Sequence, residues 1–320
     1  MNKTDLILVT GGAGFIGSHL VEALLAEGCR VRVVDNLSTG KLSNLAHLEG
    51  QFEWIEANLA DPAACEEAAK GVSYVFHQAA IPSVPRSVKD PLGSHINGPT
   101  ATLNMLEAAR KANVRRFMFA ASSSAYGDTE ELPKHERMIP NPLSPYAAGK
   151  LAGEHYVKVY ARTMGLDGVS LRYFNIFGPR QDPSSPYSGV ISLFIKAMSR
   201  GDRPKIYGDG TQTRDFTYVA NAVAANLAAM RRPEPLRGRC FNVGASRRVG
   251  LLEVVASLNH ILGTSLSPDF LPPRPGDVKD SLACLRSIQQ ELGYTPLVDF
   301  EEGLRRTVDH IIAHEAPHHH

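Results

Sequence analysis

Three short stretches of the chain carry residue types and spacings that fit chemistry. In Ser144-Pro145-Tyr146-Ala147-Ala148-Gly149-Lys150, a serine suited to an N-cap and a proline suited to the first helical turn place Tyr146 at the start of a helix. Lys150, four residues on, shares its face. A phenol beside an ammonium ion, and beside a positively charged ring, loses its proton more readily, which makes Tyr146 a general base for work near neutral pH. In Ala121-Ser122-Ser123-Ser124-Ala125-Tyr126-Gly127 a serine hydroxyl falls where a strand ends, able to pass a proton between a substrate oxygen and the tyrosine. Alone, the first stretch reads more readily as a surface Tyr–Lys pair and the second as a turn. A cofactor site upstream decides for chemistry.

That site is the third stretch. An apolar run, Leu6-Ile7-Leu8-Val9-Thr10, leads into Gly11-Gly12-Ala13-Gly14-Phe15-Ile16-Gly17, and a helical pattern follows. Glycines at 11, 14 and 17 suit a tight turn, close approach to a pyrophosphate and close packing of helix on strand, with helix N–H groups left for the phosphates. Asp35 ends the next strand about 20 residues on, where a carboxylate accepts ribose hydroxyls and repels a 2′-phosphate. With Asn36 beside it and no adjacent arginine, the cofactor is expected to be NAD and not NADP. Asn58-Leu59 and Gln78-Ala79-Ala80 follow later strands at the same carboxyl edge, where open α/β sheets bind ligands; the small alanines leave room for a cofactor.

These groups need a scaffold, and the pattern supplies one. Leu6–Thr10, Val31–Asp35, Tyr74–His77, Phe117–Ala120 and Val169–Tyr173 read as strands. Residues 15–27, 61–70, 97–112 and 145–164 read as helices, from apolar side chains spaced by three and four. Such alternation predicts an α/β fold, a Rossmann-type doubly wound parallel sheet. Residues 1–174 are expected to form the dinucleotide-binding domain. From 175 to 316, where Gly and Pro thicken and long helices should be scarcer, a smaller interleaved lobe should bind substrate, with the chain returning to the first domain near 215–245. Pro272-Pro273-Arg274-Pro275-Gly276 reads as a rigid loop, and residues 317–320 as the remnant of a purification tag.

Composition narrows the partners. Lys and Arg number 34 against 33 Asp and Glu, a formal charge of +1, so no global field points to nucleic acid or a membrane surface. An anionic substrate must then be held by a few placed arginines. No apolar run reaches the roughly 20 residues of a membrane span, and no leader is expected before the first strand. Cys29, Cys65, Cys240 and Cys284 are too scattered for a metal ribbon or redox pair, and free thiols fit a cytoplasmic protein without a metal.

Together the glycine motif, Asp35, the serine cluster and the Tyr-x-x-x-Lys pair resemble the extended short-chain dehydrogenase/reductase family. Within it the chain is similar over nearly its whole length to the UDP-galactose and UDP-N-acetylglucosamine 4-epimerases. Further matches are Ser83-Val84-Pro85-Arg86-Ser87, Tyr173-Phe174-Asn175, Arg214-Asp215-Phe216 and Arg274-Pro275-Gly276-Asp277. The resemblance implies Tyr146 as base, Lys150 on the nicotinamide ribose and Ser122 at the catalytic Ser/Thr position. It implies Phe15, Ile16 and Tyr173 against the cofactor, and Ser123, Ser124, Ser83, Arg86 and Val190 around the substrate. Asn175, Arg214 and Arg274 would hold the diphosphate, Asp277 the uridine ribose, and Tyr207 the uracil face. Ala121 and Asn58 depart from the pattern, several relatives having serine and aspartate there.

The related 4,6-dehydratases resemble one another in carrying Asp-Glu after the catalytic threonine. Ser123 and Ser124 stand there in this chain, which leaves C4 oxidation and reduction and so favours a UDP-sugar 4-epimerase. Another nucleotide-sugar enzyme, a decarboxylase or dehydratase, or a non-catalytic NAD sensor are the alternatives. The resemblance further implies a homodimer through the helices at 97–112 and 145–164. It also implies a pocket wall at Ser281, where a small residue admits an N-acetyl group that tyrosine would exclude.

Overall fold

The computed structural model describes residues 5–183, 189–273 and 278–315. The first strand, β1 (Leu6–Thr10), is buried throughout, and the chain winds through α1 (Phe15–Ala26), β2 (Arg30–Asp35), β3 (Glu53–Glu56), α2 (Pro62–Ala69) and β4 (Val72–His77). Helices α3 (Val84–Lys89) and α4 (Pro91–His95) lead through a π turn at Ile96–Thr100 into α5 (Ala101–Lys111), β5 (Arg116–Ser122), α6 (Pro145–Thr163), β6 (Gly168–Tyr173) and β7 (Ile176–Phe177). The remainder is α7 (Val190–Ser199), β8 (Lys205–Tyr207), β9 (Thr213–Arg214), β10 (Thr217–Tyr218), α8 (Val219–Arg231), β11 (Arg239–Val243), β12 (Val249–Gly250), α9 (Leu251–Leu262), β13 (Asp269–Leu271), α10 (Arg286–Leu292) and α11 (Phe300–Glu315).

Seven strands form one parallel sheet in the order β11-β6-β5-β4-β1-β2-β3. The alternation of side chains along each strand feeds two cores. Ile7, Val9, Val31 and Val33 pack with α1 and α8, whereas Leu6, Leu8, Val75, Phe117 and Phe119 pack with α2, α5 and α6. A sheet buried on both faces needs apolar residues at consecutive positions, which is why these strands read as unbroken hydrophobic runs. Strand order reverses at β1, with β2 on one side and β4 on the other, so the crevice for a ligand opens at their carboxyl ends.

The second half differs from the sequence reading in two ways. Helices α7, α8, α9 and α11 run for 10, 13, 12 and 16 residues, so long helices are not scarce there. Other glycines of this half end helices: Gly263 (φ 65°) and Gly293 (φ 64°) take the left-handed conformation that closes α9 and α10. A third core, with Phe177, Phe216, Tyr218 and Phe300 ring against ring at 5.8–6.3 Å, binds α7, α9 and α11 together. The expected helix at 97–112 is not regular throughout, because Pro99 has no N–H to donate and its turn widens into the π geometry.

The return of the chain is fastened from within. Arg116, 5% exposed, pairs with Asp167 at 2.6 Å and donates to the carbonyls of Ala229, Arg232 and Glu234 at 2.7–2.8 Å. One guanidinium thereby satisfies carbonyls that the end of α8 cannot bond internally, and ties β5 to the segment feeding β11.

Candidate active site

A single cleft of about 1470 Å³ runs along the carboxyl edge of the sheet, from the glycine loop past Tyr146 to Arg214 and Ser281. At its first end each glycine has its own reason. Gly11 (φ +65°) lies so near the next crossover that a Cβ would stand 2.8 Å from Ala79 Cα, and a Cβ on Gly17 would stand 2.1 Å from the Gly11 carbonyl oxygen. At Gly14 the added atom meets only Gly11 O, at 3.1 Å, among the described residues, so the strip above it stays open to the cleft. Gly14 also caps α1 without a side-chain hydrogen bond, which leaves first-turn N–H groups for a phosphate.

Asp35, 8% exposed, receives Ala13 N on one carboxylate oxygen (3.1 Å) and Leu37 N on the other (2.9 Å). Burial raises its carboxyl above the ordinary range, opposed by these backbone donors. Each oxygen keeps a lone pair for a ribose hydroxyl. Asn36 is exposed beside it and turns its side-chain oxygen to Ser38 N, while Asn58 is exposed and engaged with Ala60 N at 2.9 Å. Gln78 accepts from the Tyr173 hydroxyl at 3.1 Å, and its buried Nε2 has no partner among the described residues. An open strip over Gly14, first-turn N–H groups, a two-oxygen ribose acceptor and an orphan amide donor in one cleft fit NAD. Phe15, Ile16, Leu59, Ala79 and Ala80 also line it.

Tyr146 and Lys150 lie at the centre, where α6 starts under the end of β5. Ser144 does cap the helix, accepting from Ala147 N at 3.1 Å. The Lys150 ammonium donates to Ala120 O at 2.7 Å and stands 5.1 Å over the Phe119 ring; burial pulls it down to about 8. Ser122 caps the turn of serines, with Ser124 N at 3.2 Å and Ser124 Oγ at 2.8 Å. The expected acidity of Tyr146 is not a property of the protein alone: burial raises its hydroxyl, and the hydrogen bond with Ser122 pulls it only part of the way back. Desolvation of a phenolate outweighs one neutral donor until further positive charge comes close.

The far end differs more from expectation. Ser83, Arg86, Ser123, Ser124, Asn175, Arg214 and Ser281 border the cleft, but Val190 and Tyr207 are not among the described residues that do. Val190 packs on the third core from the first turn of α7, while Tyr207 stands in the β8–β13 pair with its carbonyl on Gln212. The Asn175 amide, expected at a diphosphate, donates to Ser281 Oγ (3.2 Å) and Asp215 O (3.3 Å), a tie that its left-handed backbone (φ 37°) sets up. Arg214 faces the cleft with one nitrogen on Thr213 O and Lys279 O. Arg274 and Asp277 lie outside the described residues.

Several lining residues escaped the sequence reading. The Ser38-Thr39-Gly40-Lys41 turn and Asn44 wall the cleft beside Asp35, with Asn44 donating to Ala13 O at 2.8 Å. The run of small polar residues after Asp35 was the available signal. Arg180, Gln181 and Asp182 close the opposite rim: Lys41 pairs with Asp182 at 2.9 Å, Arg180 bonds Glu22, and His19, which burial lowers to about 4, meets Pro179 O at 2.9 Å. Nothing in the sequence pairs these positions, since they lie more than 130 residues apart.

A doubly wound sheet with this glycine loop and a Tyr–Lys pair facing one cleft defines a short-chain dehydrogenase/reductase of the extended class. The family model described as the NAD dependent epimerase/dehydratase family matches residues 7–244, and the chain belongs to that family. Its cofactor is NAD. The chain is similar to the UDP-N-acetylglucosamine 4-epimerase of Methanobrevibacter ruminantium M1 solved with UDP-N-acetylmuramic acid, at 39% identity and TM-score 0.93 over 98% of this chain and 100% of that one. It is similar to the UDP-glucose 4-epimerase of Thermotoga maritima solved with UDP-glucose, at 39% identity and TM-score 0.92 over 97% and 99%. It is also similar to the UDP-glucuronic acid 4-epimerase of Bacillus cereus solved with UDP-glucuronic acid and NAD, at 34% and 0.90 over 96% and 99%. Among the described residues no helix is long and apolar enough to cross a membrane.

Proposed function

We propose that this protein is a UDP-sugar 4-epimerase in which Tyr146 takes the proton of the C4 hydroxyl, directly or through Ser122, and later returns it. The observation that carries the reading is the meeting of Tyr146, Lys150 and three serine hydroxyls at one point of the cleft, with no carboxylate where a dehydratase needs its second acid and base. The chemistry that bound NAD supplies is acceptance of the C4 hydride and its return to the opposite face, with no net oxidation. Gly14, Asp35 and Gln78 would hold it, and Tyr146 would ionise with the help of the positive charge that the cofactor would supply to the cleft. Lys150 would hold the nicotinamide ribose. Ser123 and Ser124 would hold the sugar, and Arg214 and Arg274 the diphosphate. Val190 and Tyr207 are left out of this assignment.

Purified protein is expected to interconvert a UDP-hexose with its C4 epimer, and to release NAD on denaturation without any having been added. Chromatography of the sugar nucleotides and of the released cofactor checks both. Mostly NADP, or a product lacking carbon dioxide or water, overturns the reading.

The favoured substrates are UDP-GlcNAc and UDP-GalNAc, with UDP-glucose and UDP-galactose also admitted. Ser281, 9% exposed, borders the cleft with its oxygen already accepting from Asn175 and Asp215 N. It therefore offers room and one O–H proton, but little accepting capacity. Ser281→Tyr should fill that room and selectively lower activity on the N-acetylated pair by roughly 10–200-fold, the range for small steric differences in a pocket. Assays with both pairs test it; equal loss on both removes Ser281 as the gate.

The proposal includes a homodimer. Val88 on α3, Leu92 on α4 and Ile96 in the π turn are exposed by 64%, 76% and 47%, and these elements pack on α6, where Tyr156 and Val159 are exposed too. A strip of this kind is costly to leave in water. Residues 1–174 with α8 and β11 would form the cofactor half, the rest the substrate half, and the four free thiols suit the cytoplasm.

A further inference from the structure

Behind Lys150 lies a buried ion pair that the reaction described above does not use. Glu154 stands one turn on from Lys150 on α6, so Tyr146, Lys150 and Glu154 share one helix face. Its two oxygens are taken by Arg172 of β6, at 2.9 and 2.7 Å, and the two side chains are only 7% and 5% exposed. Arg172 stacks over Tyr126 at 4.6 Å, and its third nitrogen, Nη1, has no partner among the described residues. Burying two charges is worthwhile to a fold only under good geometry, and well-packed apolar residues often serve stability as well.

We propose that Glu154 and Arg172 are positioning residues for Lys150: the carboxylate holds the buried ammonium in its charged form through space, and Arg172, by taking both carboxylate oxygens, keeps Glu154 from drawing that ammonium away from the cleft. The Lys150 ammonium has three donors. Ala120 O takes one, and a direct bond to Glu154 would take a second and turn the head group away from Tyr146. With Glu154 clamped, two donors remain for the cleft. The electrostatics agree in direction, since burial lowers Lys150 and Glu154 is what opposes it. The other titratable and charged groups around this point are Tyr146 on α6, His77 on β4, Tyr126 after β5, Glu136 in the loop before α6, and Cys240 on β11. Burial lowers His77 to about 3, so it is neutral, and burial raises Tyr126 and Cys240, so they are neutral too.

The inference rests on the proposed role of Lys150, and the test separates the two. The pH profile of turnover is measured for the wild type, Glu154→Gln, Arg172→Gln, the double variant and Lys150→Met, with melting temperatures alongside. In Glu154→Gln the ammonium loses its counter-charge, so the alkaline limb should move down by about one pH unit, the low end for removing a nearby opposite charge. In Arg172→Gln the freed carboxylate pairs with Lys150 directly, so that limb should move up while turnover falls. A merely structural pair lowers turnover and melting temperature without moving the limbs in opposite directions. The double variant replaces the ion pair by an uncharged hydrogen-bonded one and serves if either single variant does not fold; its alkaline limb should lie below that of the wild type. An active Lys150→Met removes the role of Lys150 itself. An inactive Lys150→Met with unmoved limbs in the folded Glu154 and Arg172 variants overturns the clamp.

Discussion

Tyr146→Phe is expected to lower turnover by roughly 10²–10⁴-fold, the scale for a positioned acid–base group, while the fold and the NAD content survive. The substitution removes one oxygen and keeps the ring, which stands 6.0 Å from the Lys150 ammonium. Among the described residues it also loses the hydrogen bond with Ser122, whose oxygen is still engaged by Ser124 N and Ser124 Oγ. Neither serine can replace the base, because an aliphatic hydroxyl is far less acidic than a phenol. Steady-state kinetics on a UDP-hexose, with the released nucleotide counted per chain, provides the check. Retention of more than half the turnover would remove Tyr146 as the base, and loss of NAD with turnover would mean the ring holds cofactor instead.

Gly17→Ala should empty the cofactor site and loosen the fold at once. The new Cβ would stand 2.1 Å from Gly11 O and 2.8 Å from Gly11 C and Gly12 Cα, all backbone atoms of the turn that must face the pyrophosphate. No side chain can swing aside, so α1 must back away from β1, at a cost of about 1–3 kcal/mol for overpacking a filled site. Gly14→Ala is the control: its Cβ meets Gly11 O alone, at 3.1 Å, among the described residues. That variant should melt close to the wild type while retaining less NAD, because the added methyl occupies ligand space and not protein space. Thermal denaturation and nucleotide release, measured together, distinguish the two. Equal melting temperatures for Gly17→Ala and the wild type would contradict the packing described for this turn.

The cofactor loop, Asp35 and the Tyr146–Lys150 pair were all legible in the sequence. So were the parallel sheet and five of its seven strands; β3 and β11, short and carrying charged or polar residues, were not placed. In each case the property depends on residues within about one turn or one strand of each other. A glycine spacing fixes a turn, an i, i+4 spacing fixes a helix face, and an unbroken apolar run fixes a strand buried on both sides. The serines at 122–124 belong with these, because a strand's end and the turn after it are local features.

What the tertiary structure alone decided is where side-chain polar groups find partners and which of them are dry. Asn175 lines the cleft but ties its amide to Ser281, 106 residues away. Val190 and Tyr207 leave the cleft wall because the third core and the β8–β13 pair claim them. Lys41 meets Asp182, and Arg172 meets Glu154, through crossings of the chain that no spacing encodes. The protonation of Tyr146 changed for the same reason: the sequence shows the lysine beside it, but the cost of burying a phenolate depends on every element packed around it. Local geometry is written in near neighbours along the chain, whereas desolvation and long-range pairing exist only once the chain has closed on itself.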